Sequence, residues 1–217
     1  MNTSEPIWHK EVISQTARET LNKILSISII NSFYLAGGTG LALNLGHRRS
    51  YDFDFFNPEF FNEDMILQKM QGLKNIELVS KEKHTLHIII NGVKISFLGY
   101  KYPLLFPLND MKIGDNSILK IADIREIACM KISAISSRGS KRDFVDLYMV
   151  AKEISLSELL TLYKKKYSLT PHNNVHIFKS LMYFDNAEDE PMPDMLVPLS
   201  WKIVKDYFTK EIPKFLK

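Results

Sequence analysis

Residues 35–56 read LAGGTGLALNLGHRRSYDFDFF, and the order of elements in this stretch decides the fold. A short apolar run from Phe33 to Ala36 is broken by Gly37 and Gly38, after which Thr39 can cap a short helix, Leu41 to Leu45, that Gly46 ends. Tyr51 to Phe56 then alternates as a half-buried strand does, with Asp52 and Asp54 on one face and Phe53 and Phe55 on the other. Side chains two apart on a strand stand roughly 6.5–7 Å from each other, and two anions that close repel unless a cation lies between them. A hard divalent ion such as magnesium takes one or two protein carboxylates and completes its shell with water and substrate phosphates, so the pair is a candidate metal seat. The bland alternative is a polar edge face that holds nothing.

The preceding turn favours the first reading. Gly37-Gly38-Thr39-Gly40 lets backbone amides come close to a phosphate, and the short helix after it points its positive end at the same place. The amides and the Thr39 hydroxyl suit triphosphate oxygens, while Asp52 and Asp54 suit the metal that neutralises them. His47, Arg48 and Arg49 either donate to a phosphate or a nucleic-acid backbone or are ordinary solvated cations. Two better-known glycine motifs do not fit. No Gly-Lys-Ser or Gly-Lys-Thr of a Walker loop is present, and Leu43 stands where a dinucleotide fingerprint needs its third glycine.

Outward from this stretch, Glu11 to Ile27 spaces Ile13, Ala17, Leu21 and Ile24 as one apolar helical stripe. Pro58 opens a helical run with Met65, Ile66 and Met70. Asn75 to Ser80, His84 to Ile90 and Val93 to Leu98 read as strands, and Asn91-Gly92 is a two-residue hairpin turn that makes this part of the sheet antiparallel. From Asp123 the pattern is helical, with helices to Ile135, Ser140 to Glu153, Ser157 to Tyr167, Asn173 to Tyr183 and Ser200 to Phe208. An acidic, proline-bearing loop over Asp185 to Pro193 separates the last two. The expected architecture is α+β, a mixed sheet flanked by helices over residues 1–118 and a helical domain over 119–217.

On the helix from Asp123, Lys131 falls in the middle of the apolar stripe of Ile127, Ala128, Ile132 and Ile135. It either snorkels past the core or reaches an anion. On the next helix Asp143 and Asp146 share the inward face with Leu147 and Val150. Ser140 followed three residues later by Asp143 resembles a capping box, which leaves Asp146 unexplained. Lys131 and Asp146 either pair as a structural bridge or complete a site whose other half is Asp52 and Asp54.

The bulk numbers constrain less. With 28 Lys and Arg against 25 Asp and Glu in 217 residues, the average charge demands neither nucleic acid nor a membrane. The single cysteine, Cys129, lies in an apolar helical pattern and reads as an inert buried thiol of a reducing compartment. Met1 to Lys10 lacks the apolar run of a signal peptide, and no window is long enough to span a bilayer, so a cytoplasmic protein is expected.

The combination of Gly37-Gly38-Thr39, Asp52-x-Asp54, Lys131, Arg138 and Lys141-Arg142-Asp143-Phe144-Val145-Asp146 resembles the AbiEii/AbiGii toxin family of nucleotidyltransferases, within the DNA polymerase β-like superfamily. The resemblance covers most of the chain, including the tail Ser180-Leu181-Met182-Tyr183-Phe184-Asp185. It implies magnesium, a nucleoside triphosphate, and transfer of a nucleotide to an acceptor, which in relatives is tRNA, by the toxin of a toxin–antitoxin or phage-defence system. By motif match Asp52 and Asp54 hold metal and Gly38 and Thr39 the triphosphate, with Arg48, Arg49, Ser50, Arg142 and Asp143 also at the nucleotide. Lys131 takes a phosphate, and Asp146 the third acidic, base-like role. One departure stands out: the superfamily commonly carries its third carboxylate on a later strand, where Ser96 is found here. Either Asp146 replaces it, or the chain is a catalytically degenerate module that binds nucleotide or RNA. A third reading gives the helical tail and its acidic loop to contact with an antitoxin protein.

Overall fold

The computed structural model describes residues 7–113, 117–169 and 174–216. Most of the leader reading over Met1 to Lys10, and Asn173 at the expected start of a tail helix, lie outside these residues. The chain forms two compact units, residues 1–103 with 107–123, and residues 104–106 with 124–217.

In the first unit the elements run α1 (Gln15–Leu25), β1 (Tyr34–Ala36), α2 (Gly37–Leu45), β2 (Phe53–Asn57), α3 (Glu63–Lys69), β3 (Ile76–Glu82), β4 (Thr85–Ile90), β5 (Val93–Gly99), β6 (Asn109–Ile113) and β7 (Ser117–Ile121). The seven strands form one mixed sheet in the order β3-β4-β5-β2-β1-β7-β6. β2 pairs parallel with β5 and β1 parallel with β7, whereas the other neighbours are antiparallel. Helix α1 starts at Gln15 rather than Glu11, because Ser14 is its N-cap and accepts the Ala17 amide at 3.1 Å. The Asn91-Gly92 turn takes positive φ at both positions, 51° and 79°, and sets Ile90 opposite Val93.

Alternation along the strands divides the sheet into two faces. Leu35, Phe55, Ile88, Ile95 and Phe97 are buried in one cluster with Ile13, Ala17, Leu21 and Ile24, and with Ile66 and Met70. Within it the Phe55 and Phe97 rings stack with centroids 5.5 Å apart. Asp54 lies on the opposite face, in register with Ser96, and the buried rings of Tyr34 and Phe56 stack on that same side with centroids 5.9 Å apart.

The second unit is helical, with α4 (Ile124–Ser137), α5 (Lys141–Ala151), α6 (Leu156–Lys166), α7 (Asn174–Ser180), α8 (Asp185–Glu188) and α9 (Trp201–Glu211). The expected acidic loop thus contains one short helix. Phe144 is fully buried among Phe184, Trp201 and Phe208, with centroids at 5.1, 5.8 and 5.6 Å. Beside this core, Glu126 and Lys166, each 1% exposed, pair at 2.6 Å. The other Glu126 oxygen accepts the backbone amides of Leu105 and Phe106, which ties that short segment into the unit. Among the described residues no helix is long and apolar enough to cross a membrane.

Candidate functional site

In the first unit the site grows from the start of α2. The helix begins at Gly37 itself, with Ala36 as an N-cap that offers no side chain, so Thr39 lies inside the first turn and is not the cap. The reason is steric. Gly37 takes φ +63°, and a Cβ on it would stand 2.6 Å from Asp54 Oδ2, so only glycine lets the backbone turn against that carboxylate. A Cβ on Gly38 would stand 2.4 Å from Arg48 Nη2. The two glycines therefore hold an anion and a cation against the opening of one helix, and Gly46, at φ 63°, ends that helix in the left-handed conformation.

Thr39 is buried, and its hydroxyl lies 2.7 Å from Ser50 Oγ and also against the Asp52 carbonyl. It thereby fastens the first turn of α2 to the loop that leads into β2. Arg48 is buried rather than solvated and donates from Nη1 to the Arg49 carbonyl at 3.0 Å. Arg49 is exposed, and Asp52 and Asp54 are half-buried.

Asp54 stands between Ala36 on β1 and Ser96 on β5. Ser96 in turn faces His87 on β4, and the Ser96 hydroxyl lies 2.9 Å from His87 Nδ1. One row across the sheet thus reads Ala36, Asp54, Ser96, His87. His87 was missed in the sequence, although the hairpin register counted back from Asn91-Gly92 sets it opposite Ser96. The Asp54 carboxylate at the glycine turn, with Asp52 half-buried two positions before it, fits a magnesium ion that would bring its remaining ligands as water and phosphate. Among the described residues no group of three or more His, Cys, Asp or Glu is arranged to hold a metal by itself.

In the second unit Lys131 is buried with its ammonium 2.9 Å from Asp143 Oδ1 and 2.6 Å from Asp146 Oδ2. Arg138 adds Nε at 2.7 Å and Nη2 at 3.0 Å from the Asp143 carboxylate. Burial alone raises the Asp143 pKa, but the Lys131 charge and the Arg138 hydrogen bond and charge outweigh it and hold it at about 2. The expected capping box is absent. Ser140 donates its hydroxyl to Asp143 Oδ2 at 2.8 Å and makes no side-chain bond to the helix backbone. The two cations have drawn the carboxylate away from that role. Arg142 is exposed on α5. Lys141 is buried, with its ammonium on the Glu188 carbonyl at 3.0 Å and its amide on Glu190 Oε2 at 2.7 Å. Glu188 also holds Lys205 at 2.8 Å, so two acids of the acidic loop are engaged within the unit.

The first unit therefore brings together Gly38, Thr39, Arg48, Ser50 and Asp54, with Asp52 joined to them through its main-chain carbonyl, and the second brings together Lys131, Asp143 and Asp146.

No protein-family model matches the chain. The uncharacterized protein aq_aa25 of Aquifex aeolicus is 40% identical over 209 residues, spanning 94% of this chain and 98% of that protein. The chain belongs to the aq_aa25 family. Among solved structures, the nucleotidyltransferase toxin MenT4 of Mycobacterium tuberculosis superposes with a TM-score of 0.58 at 14% identity, over 91% of this chain and 83% of that one. ANT(2″)-Ia, in complex with adenylyl-2″-tobramycin, gives 0.53 at 10% identity, over 72% of this chain and 100% of that one. This aq_aa25-family chain has the nucleotidyltransferase fold, a seven-stranded mixed sheet flanked by helices.

Proposed function

We propose that the protein is a nucleotidyltransferase that moves a nucleotide from a nucleoside triphosphate to an acceptor hydroxyl, with tRNA as acceptor, as the toxin of a toxin–antitoxin or phage-defence system. The observation that carries the reading is the contact of Asp54 with the glycine that opens α2, on the fold shared with MenT4. A helix start leaves amides without intrahelical partners, and here they open beside the Asp54 carboxylate, a pairing suited to polyphosphate and its counter-ion. Asp52 and Asp54 would hold magnesium, which when bound lowers the charge an attacking hydroxyl must approach. Gly38, Thr39 and Ser50 shape the phosphate side, and Arg48 supplies a fixed positive charge there. Lys131 and Asp146 are assigned a phosphate contact and the base-like role on the strength of the motif resemblance. The toxin role is supported by the same motifs and by the fold shared with MenT4; a cytoplasmic location agrees with the lone buried cysteine.

The test is incubation with total tRNA, each radiolabelled triphosphate and magnesium. Wild type should label RNA, while Asp54→Ala should lose labelling by about a hundredfold or more, as loss of a metal or transition-state contact does. Lys131→Ala should lose it too, read beside a melting curve because two buried acids lose a cation. Wild-type-like labelling by Asp54→Ala would remove the mechanism. A second reading, a module that binds nucleotide without chemistry, is favoured by Ser96 at the register beside Asp54. Tight triphosphate binding without turnover would select it.

A further inference from the structure

The second unit carries a cleft that the proposed chemistry does not use. It has a volume of about 510 Å³ and lies where the end of α4 meets α7 and the segment after it. Arg138, His176, Lys179, Tyr183 and Asn186 line it, and no Asp or Glu is among its described lining residues. Ligand clefts typically measure about 300–1,000 Å³, so this one can take unpaired nucleotides but no duplex.

Its walls are tied together. His176 Nε2 lies 3.2 Å from the Ser136 carbonyl, and Asn186 Nδ2 donates to the Arg138 carbonyl at 3.4 Å. Lys179 is exposed and has no ion-pair partner among the described residues. Tyr183 leaves 52% of its surface in water although it is a large aromatic. The Arg138 side chain is 66% exposed while two of its N–H groups are fixed on Asp143, so the guanidinium is oriented before any ligand arrives. An aromatic face flanked by cations and by amide and hydroxyl edges is the chemistry that holds single-stranded nucleic acid, with stacking for a base and charge for the phosphates.

We propose that this cleft seats an unpaired stretch of an RNA acceptor, with a base on Tyr183 and backbone phosphate at Lys179 and Arg138. The inference rests on the transferase reading for its purpose, but its test does not. Anisotropy of a short fluorescein-labelled single-stranded RNA is titrated with the full chain and three variants, Lys179→Glu, Tyr183→Ala and Lys165→Glu. The last makes the same charge change on an exposed position of α6 outside the cleft. The RNA dissociation constant should rise about tenfold for Lys179→Glu and about fivefold or more for Tyr183→Ala, and hardly for Lys165→Glu. Calorimetric binding of a nucleoside triphosphate with magnesium should be the same in wild type, Lys179→Glu and Tyr183→Ala. Equal weakening by Lys165→Glu and Lys179→Glu, no RNA binding by wild type, or displacement of the RNA by the triphosphate would each overturn the assignment. Wild type that binds RNA through Lys179 and Tyr183 yet labels no RNA keeps the cleft and ends the transferase reading. Labelling whose KM for RNA ignores both cleft variants does the reverse.

Discussion

The Asp143 carboxylate accepts hydrogen bonds from Lys131, Arg138 and Ser140, and this environment has a consequence for stability. Its pKa of about 2 lies below the ordinary 3.8. Above about pH 5 the carboxylate is ionised in both folded and unfolded chains, and the native state keeps essentially the full benefit of Lys131 and Arg138. As pH falls through the unfolded value, the unfolded chain takes up the proton first, and the benefit fades until about pH 2. The shift corresponds to about 2 kcal/mol. The stability difference between wild type and Asp143→Asn, from urea melts, should therefore shrink by that amount between about pH 6 and pH 2; a difference that ignores pH would contradict the assignment. Part of this cluster was legible in the sequence. A lysine in an apolar stripe and an acid on an inward face flagged Lys131 and Asp146. The role of Asp143 was not legible, because a serine three residues before it reads as a cap until the partners from α4 are placed. Cys129 is simpler: burial, helped by the charge of Glu126, pushes its thiol up to about 12, in line with the inert thiol expected from its apolar neighbours.

At the scale of elements, the strand, turn, helix and acidic strand over residues 33–57 were legible because glycines punctuate them and the Asp-Phe alternation fixes the face. The start of α2 was not. No local rule says that Gly37 must yield to a carboxylate on a strand paired two elements away. Strands β6 and β7 were also missed, although Met111, Ile113, Leu119 and Ile121 alternate on either side of a Gly-Asp-Asn sequence. Short strands rich in Lys and Asp carry too little apolar signal to stand out. The β2–β5 ladder supports a sharp test. Ser96→Asp would set a second, nearly buried carboxylate beside Asp54 on a parallel neighbour. Without metal this should cost about 1–3 kcal/mol of stability. Added magnesium should return more of the melting temperature in the variant than in wild type. A melting temperature unmoved by both the substitution and the ion would argue against a cation seat at Asp54.

At the scale of the whole molecule, the mixed sheet followed by a helical part was legible from the change in hydrophobic period near Asp123. The Glu126–Lys166 pair was not, since forty positions separate its members and Lys166 reads as one of three lysines on a solvated helix end. Removing one member of such a pair strands the other. Lys166→Met should cost about 3–5 kcal/mol in urea melts, and Glu126→Gln with Lys166→Met together should cost less than the sum of the two single changes. Purely additive losses would place the stability elsewhere. The same glutamate accepts the amides of Leu105 and Phe106, a tripeptide-scale segment that belongs with the helices although residues on both sides of it belong with the sheet. The backbone therefore passes from one body to the other three times. No single scission of the gene yields both halves intact: a cut before Ile124 keeps the whole sheet but takes from the helices the plug that satisfies Glu126, and one after Pro103 deprives the sheet of β6 and β7.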